Sequence, residues 1–166
     1  MRLDLKTKTH RTVIAGILAA VILALTLISF PIPNMAGAYI NLGDAGVYIA
    51  AFLLGNPWGA LCAAVGSALG DLVLGSVIYA WPTFIIKAAM ALVAALLIKK
   101  MNGKIFLPLI LAGLIMPLGY YLFEGIVYGH GAAIAGVALN LLQYAVGVTI
   151  GGYAVRFLKK ILAKNK

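Results

Sequence analysis

Most of what chemistry requires is scarce in this chain. Its 166 residues include four acidic side chains, two histidines and one cysteine. A lone Cys62 excludes an intramolecular disulfide and a multi-cysteine metal site, and among Ala, Leu and Gly neighbours it reads as a small packing residue. His10 and His130 are too far apart to pair on a metal, so no metal is expected. There is no P-loop, no Ser/His/Asp arrangement, no HExxH helix and no Gly-rich phosphate loop. The residues offer no means of hydrolysing ATP and imply no cofactor. An integral-membrane enzyme is the reading they support least. Linkers, low-complexity segments and 20–50-residue repeats are also missing, so a solenoid is not indicated. The apolar runs are continuous, with no alternation, which excludes a β-barrel.

Apolar residues are abundant: 64% of the chain is hydrophobic and only 10% is charged. That composition belongs to the membrane class and to a single membrane domain over 1–166. The formal net charge is +9, which raises the question of nucleic acid. The charges flank apolar stretches, however, so they read as topology signals attracted to anionic headgroups, and no nucleic-acid partner is expected. Every Lys and Arg except Lys87 falls in one of three patches. The first is Arg2, Lys6, Lys8 and Arg11. The second is Lys99, Lys100 and Lys104. The third is Arg156, Lys159, Lys160, Lys164 and Lys166.

A spanning helix needs about 20 predominantly apolar residues. The first gap between patches therefore holds four crossings and the second holds two. Even numbers put all three patches on one side, and positive flanks mark that side as cytoplasmic. The expected fold is an all-α integral-membrane bundle of six transmembrane helices, multi-pass in a bacterial plasma membrane, with both termini cytoplasmic. The expected spans are 12–30, 42–54, 58–74, 83–98, 105–128 and 132–157. Pro31 and Pro33 stop the first span, Gly55-Asn56-Pro57 turns the chain on the inner side, and Pro117 is expected to kink the fifth span. The first span resembles a signal peptide but is long for one and has no convincing cleavage site.

Ionisable groups inside a membrane are expensive and mark candidate sites. Asp44, Asp71, Lys87 and Glu124 all fall in the outer half of the expected bundle. Asp71 and Lys87 should lie at similar depth on an antiparallel hairpin, as a structural ion pair or with either member facing a solute. Asp44 suits the positive end of the second helix and reads mainly as a cap. Glu124 has no basic neighbour in sequence, and Tyr128 shares its helical face. Asn140, Gln143 and Tyr144 form one polar stripe on the last helix, which cannot point at lipid without stranding its amides. Interhelical gluing would account for part of this set. A carboxylate, two amides and two phenols exceed that need, so Glu124, Tyr128, Asn140, Gln143 and Tyr144, with Lys87, are the candidate solute-binding residues. Ala15 and Ala19, spaced i, i+4 on the first helix beside Gly16, Ala20 and Ala24, form a face that permits close helix approach.

Three segments carry a resemblance: Asn41-Leu42-Gly43-Asp44-Ala45, Gly66-Ser67-Ala68-Leu69-Gly70-Asp71-Leu72, and Tyr79-Ala80-Trp81-Pro82-Thr83-Phe84-Ile85-Ile86-Lys87. With them the chain resembles the substrate-binding S-components of energy-coupling factor (ECF) transporters, in the branch labelled riboflavin-type that also includes hydroxymethylpyrimidine and vitamin B6 proteins. The resemblance implies a subunit that captures a vitamin from outside, beneath the loop between helices 1 and 2. It implies docking on a shared module of one membrane coupling subunit and two cytoplasmic ATPases. It also implies that the Ala15 and Ala19 face is the docking surface and that the solute pocket lies in the outer half. Tyr rings to stack on, a carboxylate and two amides suit a small aromatic heterocycle such as pyridoxine or hydroxymethylpyrimidine. A riboflavin-specific subunit and a self-sufficient proton-coupled secondary transporter are the alternatives.

Overall fold

The computed structural model describes residues 7–31, 39–102 and 104–164. The chain forms α1 (Lys8–Leu27), β1 (Ser29–Pro31), β2 (Tyr39–Asn41), α2 (Gly43–Leu54), α3 (Trp58–Val73), α4 (Val77–Lys100), α5 (Phe106–Gly113), α6 (Ile115–Val127) and α7 (His130–Lys164). Among the described residues, four segments are long and apolar enough to cross a membrane, with α5 and α6 together making one of them; α2 and α3 are shorter apolar helices. The arrangement is an all-helical membrane bundle, as expected, with differences at the ends of the elements.

Its surface is largely hydrocarbon. Val13, Ile17 and Val21 on α1, Leu118, Leu122 and Ile126 on α6, and Tyr153 and Phe157 on α7 are all exposed. In lipid, such faces lose nothing by exposure, so packing falls to close contact between small residues. Gly66 of α3 shows the device: a Cβ there would stand 2.5 Å from the Ala19 carbonyl of α1. Gly59 lies equally close to α2, where a Cβ would meet the Ala50 carbonyl at 2.7 Å.

The first helix ends at Leu27, three residues before the expected stop. Ser29, Phe30 and Pro31 instead pair antiparallel with Asn41, Ile40 and Tyr39. Pro31 sits at a sheet edge, where its missing N–H costs little. The rest of this outer connection lies outside the described residues. The α4 helix begins at Val77, six residues earlier than expected, and runs through Pro82. Proline so near a helix start forfeits one backbone hydrogen bond, which the bundle tolerates. The expected kink in the fifth span becomes a break between α5 and α6 at Leu114. Pro117 cannot donate to the carbonyl of Gly113, and its ring crowds that carbonyl, so the helix parts there.

At the inner end, the Phe106 ring meets Tyr153 edge-on at 5.4 Å and shares a groove with Arg156, Lys159 and Lys160. The start of α5, two residues after Lys104, therefore lies against the third basic patch. The α7 helix runs on through Lys164, seven residues past its expected end, carrying those charges on its final turns.

Candidate functional site

Polar side chains inside the bundle recur at helical spacing. On α4, Tyr79, Thr83 and Lys87 are spaced i, i+4, i+8; on α3, Ser67 and Asp71 are spaced i, i+4; on α6, Tyr120 and Glu124 repeat that spacing; on α7, Asn140 and Gln143 stand at i, i+3. Residues so spaced share a helix face. All of these faces turn to one cavity, which Thr26 of α1 and Tyr39 and Asn41 of β2 complete. The space among the lining residues, its open mouth included, is about 420 Å³. The site is narrow and polar, within reach of the outer connection.

Its deep end is a closed network. Lys87 forms an ion pair with Asp44 Oδ1. Gln143 Nε2 donates to Asp44 Oδ2 at 2.9 Å. The Asn41 backbone N–H donates to Gln143 Oε1 at 2.9 Å, and Gly43 N–H donates to Asn41 Oδ1 at 2.7 Å. Lys87 Nζ also lies 5.6 Å from the centre of the Tyr120 ring, a cation–π contact. Asp44 sits in the first turn of α2, where the helix dipole adds to its stabilisation. This network explains the brevity of α2. Asn41 at the end of β2 bonds to Gln143, so the 12 residues of α2 start at the level of Lys87 and Gln143.

Higher up, the network is open. Tyr39 Oη donates to Asp71 Oδ1, and Tyr79 Oη donates to Glu124 Oε1 at 3.4 Å. Burial, then the Asp71 carboxylate, push the Tyr39 phenol above its usual pKa, so it stays a donor. Thr83 and Tyr120 share a hydrogen bond of 2.8 Å across α4 and α6. Asp71 Oδ2, Glu124 Oε2, Asn140 Nδ2 and Ser67 Oγ are buried without a protein partner. Buried polar atoms are nearly always paired, so four orphans on one cavity need an explanation. Two are carboxylate acceptors, one is an amide donor and one can serve either way. Tyr79 supplies an aromatic wall, backed by the edge-on ring of Phe123 at 5.3 Å.

Comparison with known proteins fits this arrangement. A family model described as the ECF-type riboflavin transporter, S component, matches residues 6–160. The chain belongs to that family. A protein of Pyrococcus woesei named "Uncharacterized protein in gap 3'region" is 35% identical over 143 residues, covering 85% of this chain and 95% of that one. The thiamine precursor transporter HmpT of Lactococcus lactis subsp. cremoris (strain MG1363) is 36% identical over 124 residues, covering 75% of this chain and 72% of HmpT. A solved structure described as "Structure and mechanism of the S component of a bacterial ECF transporter" superposes with a TM-score of 0.70 at 22% identity, over 95% of this chain and 98% of that one. At that identity the superposition shows the fold. The S component is a transport protein, not an enzyme, and a multi-pass protein of the plasma membrane.

Within this S component, Glu124, Asn140, Gln143 and Lys87 stand together on the cavity, while other expected residues do not. The ion pair expected between Asp71 and Lys87 is replaced by Asp44–Lys87, because the inward start of α2 brings Asp44 to the ammonium first. Asp44 is accordingly more than a cap. Tyr144 lies outside the cavity and donates to the Ile110 carbonyl of α5 at 3.1 Å. Tyr128 is exposed at the end of α6 and meets the cavity wall through Tyr79. Ala15 is buried and Ala19 backs onto Gly66 of α3, so the expected docking pair packs within the bundle. The small residues that α1 exposes are its neighbours Gly16, Ala20 and Ala24. Tyr39, Asn41, Ser67, Tyr79, Thr83 and Tyr120 were not expected at the site. The i, i+4 recurrence of hydroxyl-bearing residues with Asp71, Lys87 and Glu124 was the signal that could have found four of them: Ser67, Tyr79, Thr83 and Tyr120.

Proposed function

We propose that this S component binds a small aromatic nitrogen heterocycle, of the hydroxymethylpyrimidine or vitamin B6 class, and delivers it through a shared ECF module. The observation that carries this reading is the set of four orphaned polar atoms around a narrow, Tyr-walled cavity. An exocyclic amine or hydroxyl can donate to Glu124 Oε2 and Asp71 Oδ2. A ring nitrogen or hydroxyl oxygen can accept from Asn140 Nδ2, and Ser67 can take either role. Tyr79 and Tyr120 give the ring faces to pack against. The likeness to HmpT supports the pyrimidine option. The family description favours a riboflavin-specific subunit as the second reading.

The first test is mass spectrometry of any small molecule that co-purifies with the detergent-solubilised chain, followed by titration of that compound. A stoichiometric pyrimidine or pyridine names the ligand. An empty protein that binds neither hydroxymethylpyrimidine nor pyridoxine ends this reading, and uptake by the chain alone under a pH gradient would replace it with a secondary transporter.

Partnership with a coupling subunit and two cytoplasmic ATPases belongs to the same proposal. The docking face is assigned to Gly16, Ala20 and Ala24, the small stripe that α1 leaves exposed. Ala20→Trp should abolish uptake by cells holding the whole transporter and leave ligand affinity of the isolated chain unchanged. Uptake that survives this change would remove the assignment.

A further inference from the structure

Two carboxyl groups, Asp71 and Glu124, line the cavity, and its one ammonium is engaged by a third, Asp44, that does not line it. Asp44, Asp71 and Glu124 are 1%, 3% and 2% exposed, and the one ammonium among them, Lys87, is 2% exposed. Lys87 is committed to Asp44, whose second oxygen is taken by Gln143. Asp71 and Glu124 are each held by a neutral phenol, Tyr39 and Tyr79, and each keeps one oxygen unpartnered. Lys87 also acts on Asp71 through space, with Thr83 of α4 beside it; the remaining groups facing the two acids are neutral, among them Thr26 of α1, Asn41 of β2, Tyr120 of α6 and Asn140 of α7. His130 is exposed, with its ring against Tyr121 and Gly125. Segment 32–38 contains no Lys, Arg or His. Removing an ion from water costs several kcal/mol even after relaxation, about the cost that makes unpaired buried carboxylates rare. Two such groups on one small cavity also repel each other.

We infer that the site takes its ligand as a cation: a basic nitrogen heterocycle protonated on the ring, its charge set between Glu124 and Asp71. This rests on the heterocycle reading above and narrows it. Aminopyrimidines and pyridines have a ring nitrogen basic enough to hold a proton, whereas the isoalloxazine ring of riboflavin has none comparable. The proton balance is simple. A ligand that is neutral in solution gains one proton as it binds, from solvent where both carboxyl groups are ionised or from a carboxyl group that is protonated, and the new N–H⁺ donates to a carboxylate oxygen.

The test is calorimetric titration of the full chain in nanodiscs with hydroxymethylpyrimidine and with pyridoxine, in buffers of different ionisation enthalpy. Above the pKa values of both the ring and the two carboxyl groups, the expected result is uptake of about one proton per ligand bound, with affinity falling about tenfold per pH unit. The sign follows from the bound state holding one more proton than the separated partners. Glu124→Gln should reduce the proton number to less than half. Should that variant fail to assemble, Asp71→Asn is measured in the same way, and the wild-type proton count alone still decides. Tight binding with no proton uptake and no pH dependence overturns the cationic ligand but leaves the heterocycle reading in place. Full proton uptake by Glu124→Gln overturns the charge placement. Binding of neither compound overturns the heterocycle reading itself.

Discussion

At the deep end of the cavity both oxygens of Asp44 are occupied, one by Lys87 and the other by Gln143. Toward the outer end, Glu124 and Asp71 each keep an oxygen free, and Asn140 and Ser67 are unpartnered as well. Lys87 and Gln143 line the same cavity as the second set, with Asp44 behind them, and the two sets are equally buried, so burial alone does not distinguish them. Completion does. A satisfied buried network rigidifies the helices that hold it, whereas a half-satisfied one is a liability to the fold unless something else fills it. The first set ties α2, α4, α7 and β2 together. The second set is what a ligand would complete.

The largest expected effect separates the two sets most sharply. Lys87→Met strands Asp44 in the interior and should cost about 3–5 kcal/mol of stability. Thermal unfolding in detergent checks it, and adding Asp44→Asn should restore part of the loss. If Lys87→Met unfolds like the wild type but loses its ligand, Lys87 belongs with the open set. Next comes Glu124→Gln, expected to weaken ligand binding by about 1–3 kcal/mol while leaving ligand-free stability unchanged or raised. A comparable loss of ligand-free stability would move Glu124 to the structural side. Tyr39→Phe removes the phenol that holds Asp71, and about 1 kcal/mol of affinity should go with it. An unchanged dissociation constant would detach the outer connection from the site. Smallest is Tyr144→Phe, which lies outside the cavity. It should leave affinity untouched and cost no more than about 1 kcal/mol in stability for its interhelical bond.

Several elements were legible before any coordinates. Long apolar runs between basic patches specify the helical bundle, because a membrane leaves little choice of backbone structure. Glu124, Asn140, Gln143 and Lys87 were identifiable as interior because charged and amide groups cannot face lipid. Tyr39, Ser67, Thr83 and Tyr120 were not, since hydroxyls on apolar helices are cheap enough to serve many purposes. The ion pair was misassigned for a geometric reason. Equal depth on adjacent helices points to Asp71, but it does not say which helix face each group occupies, and the start of α2 brings Asp44 to the ammonium first. Likewise Ala15 and Ala19 matched a small-residue pattern that Gly16, Ala20 and Ala24 match one residue further on. Only packing against Gly66 of α3 shows which of the two faces is used inside.

The sequence by itself determined the solvent in which this protein folds, the class of fold and the presence of an ionisable cluster in the outer half. Those follow from transfer free energies, which depend on composition and order along the chain. The tertiary structure alone decided which carboxylate takes Lys87, which oxygens remain free and which face of α1 points outward. Those depend on helix rotation and on how deep the outer connection reaches, and both are set by close packing among small residues far apart in the chain.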